Sequence, residues 1–129
     1  MIYSLLVLSG PTSGRGSRIA AQFAHALLRQ GHSIHRVFFL DEGAENGNAS
    51  AIFPQDEDNP ARPWIELAEG DDVELILCIT SALRRGLLDE RESQRHEKQA
   101  TIHPAFEIAG LGQLVDACAA SDRVLTFGG

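Results

Sequence analysis

The chain has little cysteine, few bases, a thin set of aromatics and no long apolar run. Its two cysteines, Cys78 and Cys118, stand alone among 129 residues, which excludes a disulfide framework, and no CxxC spacing offers a thioredoxin-type pair. Both thiols are expected to be reduced. Eleven Lys and Arg face eighteen Asp and Glu, a formal net charge of −7. That balance argues against direct nucleic-acid binding, which rests on neutralising phosphates with bases. Partners are therefore expected among proteins or small molecules. No apolar run nears the roughly 20 residues that span a bilayer, and the opening MIYSLLVLSG lacks a basic n-region and a small-residue cleavage site. The expectation is a cytoplasmic protein without a membrane segment. Beyond six phenylalanines the aromatics are Tyr3 and Trp64, thin material for the walls of a flavin site.

What is present points to one domain over residues 1–129, long enough for a core at 43% hydrophobic content and too short for two. IYSLLVLSG (2–10) and IHRVFFL (34–40) are short, apolar and punctuated by Gly or acids, the pattern of buried strands. Between them, SRIAAQFAHALLRQG predicts a helix capped by Ser17, with Ile19, Phe23, Ala26 and Leu27 on the inner stripe and Gly31 at its end. VELILCI (73–79) follows a short helical piece around PWIELAE, and RVLTF (123–127) follows a helix over about 111–120. Alternating elements with near-continuous apolar strands predict a doubly wound α/β domain, its mostly parallel sheet covered by helices on both faces. Function is then expected at the carboxyl ends of the strands. Residues 41–60 carry six acids and no base and are expected to form a long loop, a lid or docking surface or else a solvated insertion. RRGLLDERESQRHEKQA, with both signs of charge, reads as a solvated helix and turn.

The candidate chemistry centres on Cys78. It ends an apolar strand just before Thr80 and Ser81, either of which can cap a helix whose first turns hold Arg84 and Arg85. A helix N-terminus favours thiolate over thiol, so limited alkylation is expected to label Cys78 before Cys118. The arginines would add positive charge, or else cap helix carbonyls or pair with the acids of DERE. Spacing alone leaves a reactive thiol and a packed strand cysteine both open. Cys118, in phase with Leu111, Leu114 and Val115, is expected to be inert packing on the core face of its helix. CITSALR fits C-x5-R, but no glycine between 79 and 83 lets the backbone curl around phosphate, and Arg85 follows where Ser or Thr would support the thiolate. SGPTSGRGS lacks the Lys-Ser/Thr of a Walker loop and the GxGxxG spacing, leaving a flavodoxin-type phosphate loop or a flexible turn. His32 and His35 straddle a helix end and a strand, while His25, His96 and His103 lack a carboxylate or cysteine partner at ligand spacing, so no metal site is predicted.

FAHALLRQGHSIHRVFFLDEG, CITSALRRGLLDE, IHPAFEIAGLGQLVDA and SDRVLTFGG together resemble the TusD/DsrE family of sulfur-relay proteins. The resemblance implies a compact Rossmann-like (flavodoxin-like) α/β fold and a sulfurtransferase in which Cys78 is the persulfide carrier and Cys118 has no functional role. It implies assembly with TusB/DsrH-like and TusC/DsrF-like subunits into a dimer of heterotrimers. It also implies a TusA-like donor and a TusE-like acceptor on the way to 2-thiouridine at the tRNA wobble position, or a DsrE-type role in dissimilatory sulfur oxidation. Such a carrier needs no metal, flavin or other cofactor and no proton relay, since thiolates exchange sulfane sulfur directly. A non-catalytic scaffold subunit, with Cys78 only packed, is the remaining alternative.

Overall fold

A computed structural model describes residues 1–128. Five strands, β1 (Ile2–Val7), β2 (Ser33–Phe39), β3 (Leu75–Cys78), β4 (Phe106–Ala109) and β5 (Arg123–Phe127), form one sheet in the order β4-β3-β2-β1-β5. Every pairing is parallel. β4 was not expected: FEIA is four residues long, carries a glutamate and buries only Phe106, so pairing with β3, not its own pattern, makes it a strand.

Topology decides which helix covers which face. β1 through β4 step in one direction across the sheet, and the last connection returns from β4 to β5 at the far edge. With right-handed crossovers, α1 (Gly16–Arg29) and α2 (Arg62–Asp71) share one face and α5 (Gly112–Ala120) lies alone on the other. The core divides accordingly. Leu5, Val7, Val37, Phe39, Leu75 and Leu77 pack with α1 and α2 around the fully buried Trp64, whereas Phe38, Ile76 and Cys78 form a smaller cluster with Leu114 of α5. Among the described residues, no helix is long and apolar enough to cross a membrane.

The helix ends follow local chemistry in part. α1 closes at Gly31 in a left-handed conformation (φ 86°), with the Gly31 N–H bonded to the Leu28 carbonyl and the His32 N–H to the Leu27 carbonyl, the pattern expected of a C-terminal glycine. Its start differs from expectation. Arg15 is the N-cap and Gly16 the first helical residue; Ser17 is buried inside the first turn, donating to Asn46 and accepting from Trp64 Nε1–H. The inner stripe is Ala20, Ala21, Ala24 and Leu27, and Ile19 is half exposed, because the small alanines let the helix approach the sheet closely. Residues 41–60 do not form one loose loop. Asp41–Gly47 is a 3-10 helix with Gly43, Ala44, Asn46 and Gly47 buried, and a Cβ on Gly43 would collide with the Val7 carbonyl oxygen. In the charged segment, α4 (Glu90–Arg95) is capped by Asp89 and buries Glu92 and Ser93, so its solvated character is only partial.

Candidate functional site

Cys78 is the last residue of β3, paired with Ala109 of β4. Along β3, Leu75 and Leu77 face α1 and α2, so period-two alternation turns Ile76 and Cys78 to the α5 side. There Cys78 forms a cluster with Phe38 and Ile76, against which Leu6, Leu40, Ala109 and Leu114 pack, and the residue is 4% exposed. Cys78 is also the N-cap of α3 (Ile79–Arg84).

The expected capping differs. No side chain caps α3; Thr80 is exposed, and Ser81 Oγ instead accepts from the Asp41 N–H at 2.9 Å, tying α3 to the 3-10 helix. Asp41 holds φ 53° at this junction, a left-handed conformation that Asp tolerates better than most residues. Arg84 closes α3 at the end away from Cys78, and Arg85 donates to the Ser81 carbonyl at 3.1 Å. Gly86 (φ 71°) completes a Schellman end through the Leu87 N–H to the Ala82 carbonyl. Arg85 thus serves a helix carbonyl. Since Ile79–Arg84 is helical, the C-x5-R segment does not form a phosphate cradle.

Cys118 requires the larger correction. It is exposed, and so are Leu111 (55%) and Val115 (68%). The rotation of α5 is set by polar anchors and by Ala117, its one fully buried side chain. Arg36 donates to the Gln113 carbonyl and to Asp116 Oδ2, both at 2.8 Å, and Ser121 and Ser4 share a 2.7 Å hydroxyl bond. These turn Ala117 and Leu114 inward and leave Leu111 and Val115 outside. Asp116 is held below the usual carboxylate range by its hydrogen bonds from Arg36 and His35; burial works against the Arg36 charge, but the bonds to Asp116 and Glu74 raise its pKa above the usual arginine value.

An order of reaction follows. In the native chain, a small alkylating reagent is expected to modify Cys118 first and Cys78 only through local opening, the reverse of the order that position along the sequence suggested. Mass mapping of the two peptides over time checks it; faster loss of the Cys78 thiol would show that its cover is open at rest.

The glycine-rich loop opens onto a cleft of about 820 Å³ that includes Thr12, Gly14, Arg18, Asn59 and Arg62. This cleft belongs to the α1 and α2 face, so the sheet separates it from Cys78. The histidines are scattered: His25 meets the Pro63 carbonyl, His32 the N-terminal amine, and His103 the Ala105 N–H. His96 does have a carboxylate partner, Glu92 one turn earlier at 3.2 Å. Among the described residues, no three His, Cys, Asp or Glu gather in a way that could hold a metal ion.

Comparison with known proteins identifies the family and the fold. Residues 1–127 match the DsrE/DsrF-like family. The chain is 43% identical to a candidate sulfurtransferase DsrE of Allochromatium vinosum, over 99% of each chain. It is 43% identical to a sulfurtransferase TusD homolog of Aliivibrio fischeri over 98% of each, and 40% identical to sulfurtransferase TusD of Serratia proteamaculans over 98% of this chain and all of that one. The fold resembles the crystal structure of the YchN protein from E. coli, with a TM-score of 0.74 at 22% identity, covering 98% of this chain and 100% of that one.

Proposed function

We propose, from the premise that this chain belongs to the DsrE/DsrF-like family and is a sulfurtransferase, that Cys78 carries the transferred sulfur as a persulfide. The observation that carries the reading is the position of Cys78 at the carboxyl end of β3, where β3, β4, α3 and the 3-10 helix converge. Cys118, by contrast, rides the outer side of a helix with no such convergence. The Cys78 thiolate attacks the outer sulfur of a donor persulfide; a new S–S bond forms as the donor's breaks, and the donor leaves as a thiolate. An acceptor thiolate then takes the same outer sulfur and returns Cys78 to its starting state. No electrons enter or leave, so no cofactor is required.

The donor is a TusA-like protein and the acceptor a TusE-like protein, in a cytoplasmic relay toward 2-thiouridine of tRNA. TusB/DsrH-like and TusC/DsrF-like subunits complete the working assembly. Leu111 and Val115, one turn apart on the exposed side of α5, offer an apolar contact for a protein partner there. The Allochromatium relative supports the second reading, a DsrE-type subunit of sulfur oxidation. To test the common core, the assembled chain is incubated with a persulfidated TusA-like donor and digested without reductant. One added sulfur on the Cys78 peptide is expected; sulfur on Cys118 alone, or on neither, overturns it and favours a scaffold role. Transfer onward to a TusE-like thiol rather than to a protein of sulfur oxidation separates the two pathways.

A further inference from the structure

Cys78 is buried, yet a carrier must meet the sulfur atoms of two other proteins. Of the side chains ringing its cluster, Leu6, Leu40 and Ala109 belong to strands or strand ends, and Leu114 alone belongs to a helix. Moving the first turns of α5 therefore uncovers that cluster with the least disturbance of the sheet. What holds those turns down is Arg36.

The placement of Arg36 is itself unusual. Tyr3 of β1 stands opposite Ile34 and Ser4 opposite Arg36, so His35 is an extra residue in β2. Bulges are rare between parallel strands, and they re-aim the side chains around them. Ile34 packs with the α1 face; by simple alternation Arg36 would point to that same apolar core. The extra residue shifts the phase, and Arg36, like Phe38 after it, faces α5, where His35 also reaches Asp116 at 3.1 Å.

The guanidinium, in a residue 6% exposed, donates from Nη1 to the Gln113 carbonyl and Asp116 and from Nη2 to Glu74 Oε2 at 2.9 Å, while its Nε–H is buried without a partner. Such an arrangement is poor value for stability: a well-packed apolar residue in place of a buried ion pair is often neutral or better, and the unpaired N–H adds a desolvation cost. Its bonds, however, bracket Leu114, which packs against the cluster that holds Cys78.

We propose that Arg36 is a positioning residue of the transfer site: through the Gln113 carbonyl and Asp116 it latches α5 over Cys78 and so sets how often the thiol is open to a donor or acceptor. This rests on the reading of Cys78 as the carrier, and the test separates the two.

The experiment measures alkylation of the folded chain by mass mapping, with the exposed Cys118 as the internal reference, in the native protein and in Arg36→Met, Arg36→Lys and Asp116→Asn. Freeing α5 from a charge-assisted bond is expected to raise the Cys78 rate relative to Cys118 by roughly tenfold in Arg36→Met and by a smaller factor in Asp116→Asn, with Arg36→Lys falling back toward the native ratio. Asp116 is largely exposed, so its variant keeps the fold and decides the matter if Arg36→Met unfolds. An unchanged ratio in folded Asp116→Asn overturns the latch. Sulfur loading from the donor is scored separately: a raised ratio with no sulfur on Cys78 keeps the latch and rejects the carrier, and sulfur on Cys78 with an unmoved ratio does the opposite.

Discussion

Replacing Cys78 with serine is expected to reduce sulfur loading and transfer to background, a loss of at least about a hundredfold, because a hydroxyl is not appreciably ionised at neutral pH and forms no persulfide. Folding should survive. The serine hydroxyl enters a cluster of Phe38, Ile76, Leu6, Leu40, Ala109 and Leu114, where an unpaired polar group costs about 1–3 kcal/mol. Cys78→Ala avoids that penalty and should be equally inactive, so the two variants together separate lost chemistry from lost stability. Cys118→Ser, on the outer side of α5, should load sulfur like the native chain. Persulfide-specific labelling followed by peptide mass analysis reads all three. Loading above background in Cys78→Ala would assign the sulfur to another residue.

Replacing Trp64 with alanine should cause the largest loss of stability of any single truncation, about 3–5 kcal/mol from lost burial and the cavity left behind. The indole is fully buried and meets the Phe39 ring edge-on at a centroid distance of 5.1 Å. Its N–H also begins a buried chain of bonds. Trp64 donates to Ser17 Oγ at 3.1 Å, Ser17 donates to Asn46 Oδ1 at 2.7 Å, and Asn46 donates to the Ser9 and Gly43 carbonyls. The network joins α2, α1, the 3-10 helix and the loop after β1. Against a total stability of about 5–15 kcal/mol for a domain, that loss lowers the midpoint of thermal unfolding by roughly 10–20 °C. Trp64→Phe, which keeps most of the volume, should fall between. Circular dichroism melts check the series; a drop below about 3 °C in Trp64→Ala would mean that the surrounding helices collapse into the space with little cost.

Much of the framework is legible residue by residue. The apolar runs around Leu5, Phe38 and Leu77 are strands because each is buried on both sides. Gly31 ends α1 because its left-handed φ favours a residue without a Cβ, and the position of Cys78 at a strand end follows from the run that precedes it. The alternation of these elements is enough for a parallel, doubly wound sheet. β4 is different, since Phe106–Ala109 has almost no pattern of its own and exists through its bonds to β3. Ser17 has the chemistry of a cap, but Trp64 and Asn46, 47 and 29 residues away, claim its hydroxyl. On α5 Leu111 and Val115 mark the outer side while Leu114 packs inward, because Arg36 of β2 and Ser4 of β1 fix the rotation from other elements. The same separation explains why the packing of α5 against the cluster that holds Cys78 is invisible along the chain. Periodicity records what each residue prefers, whereas register, helix rotation and the contest for a hydrogen-bonding group are settled between segments distant in sequence, at the one arrangement that satisfies them together.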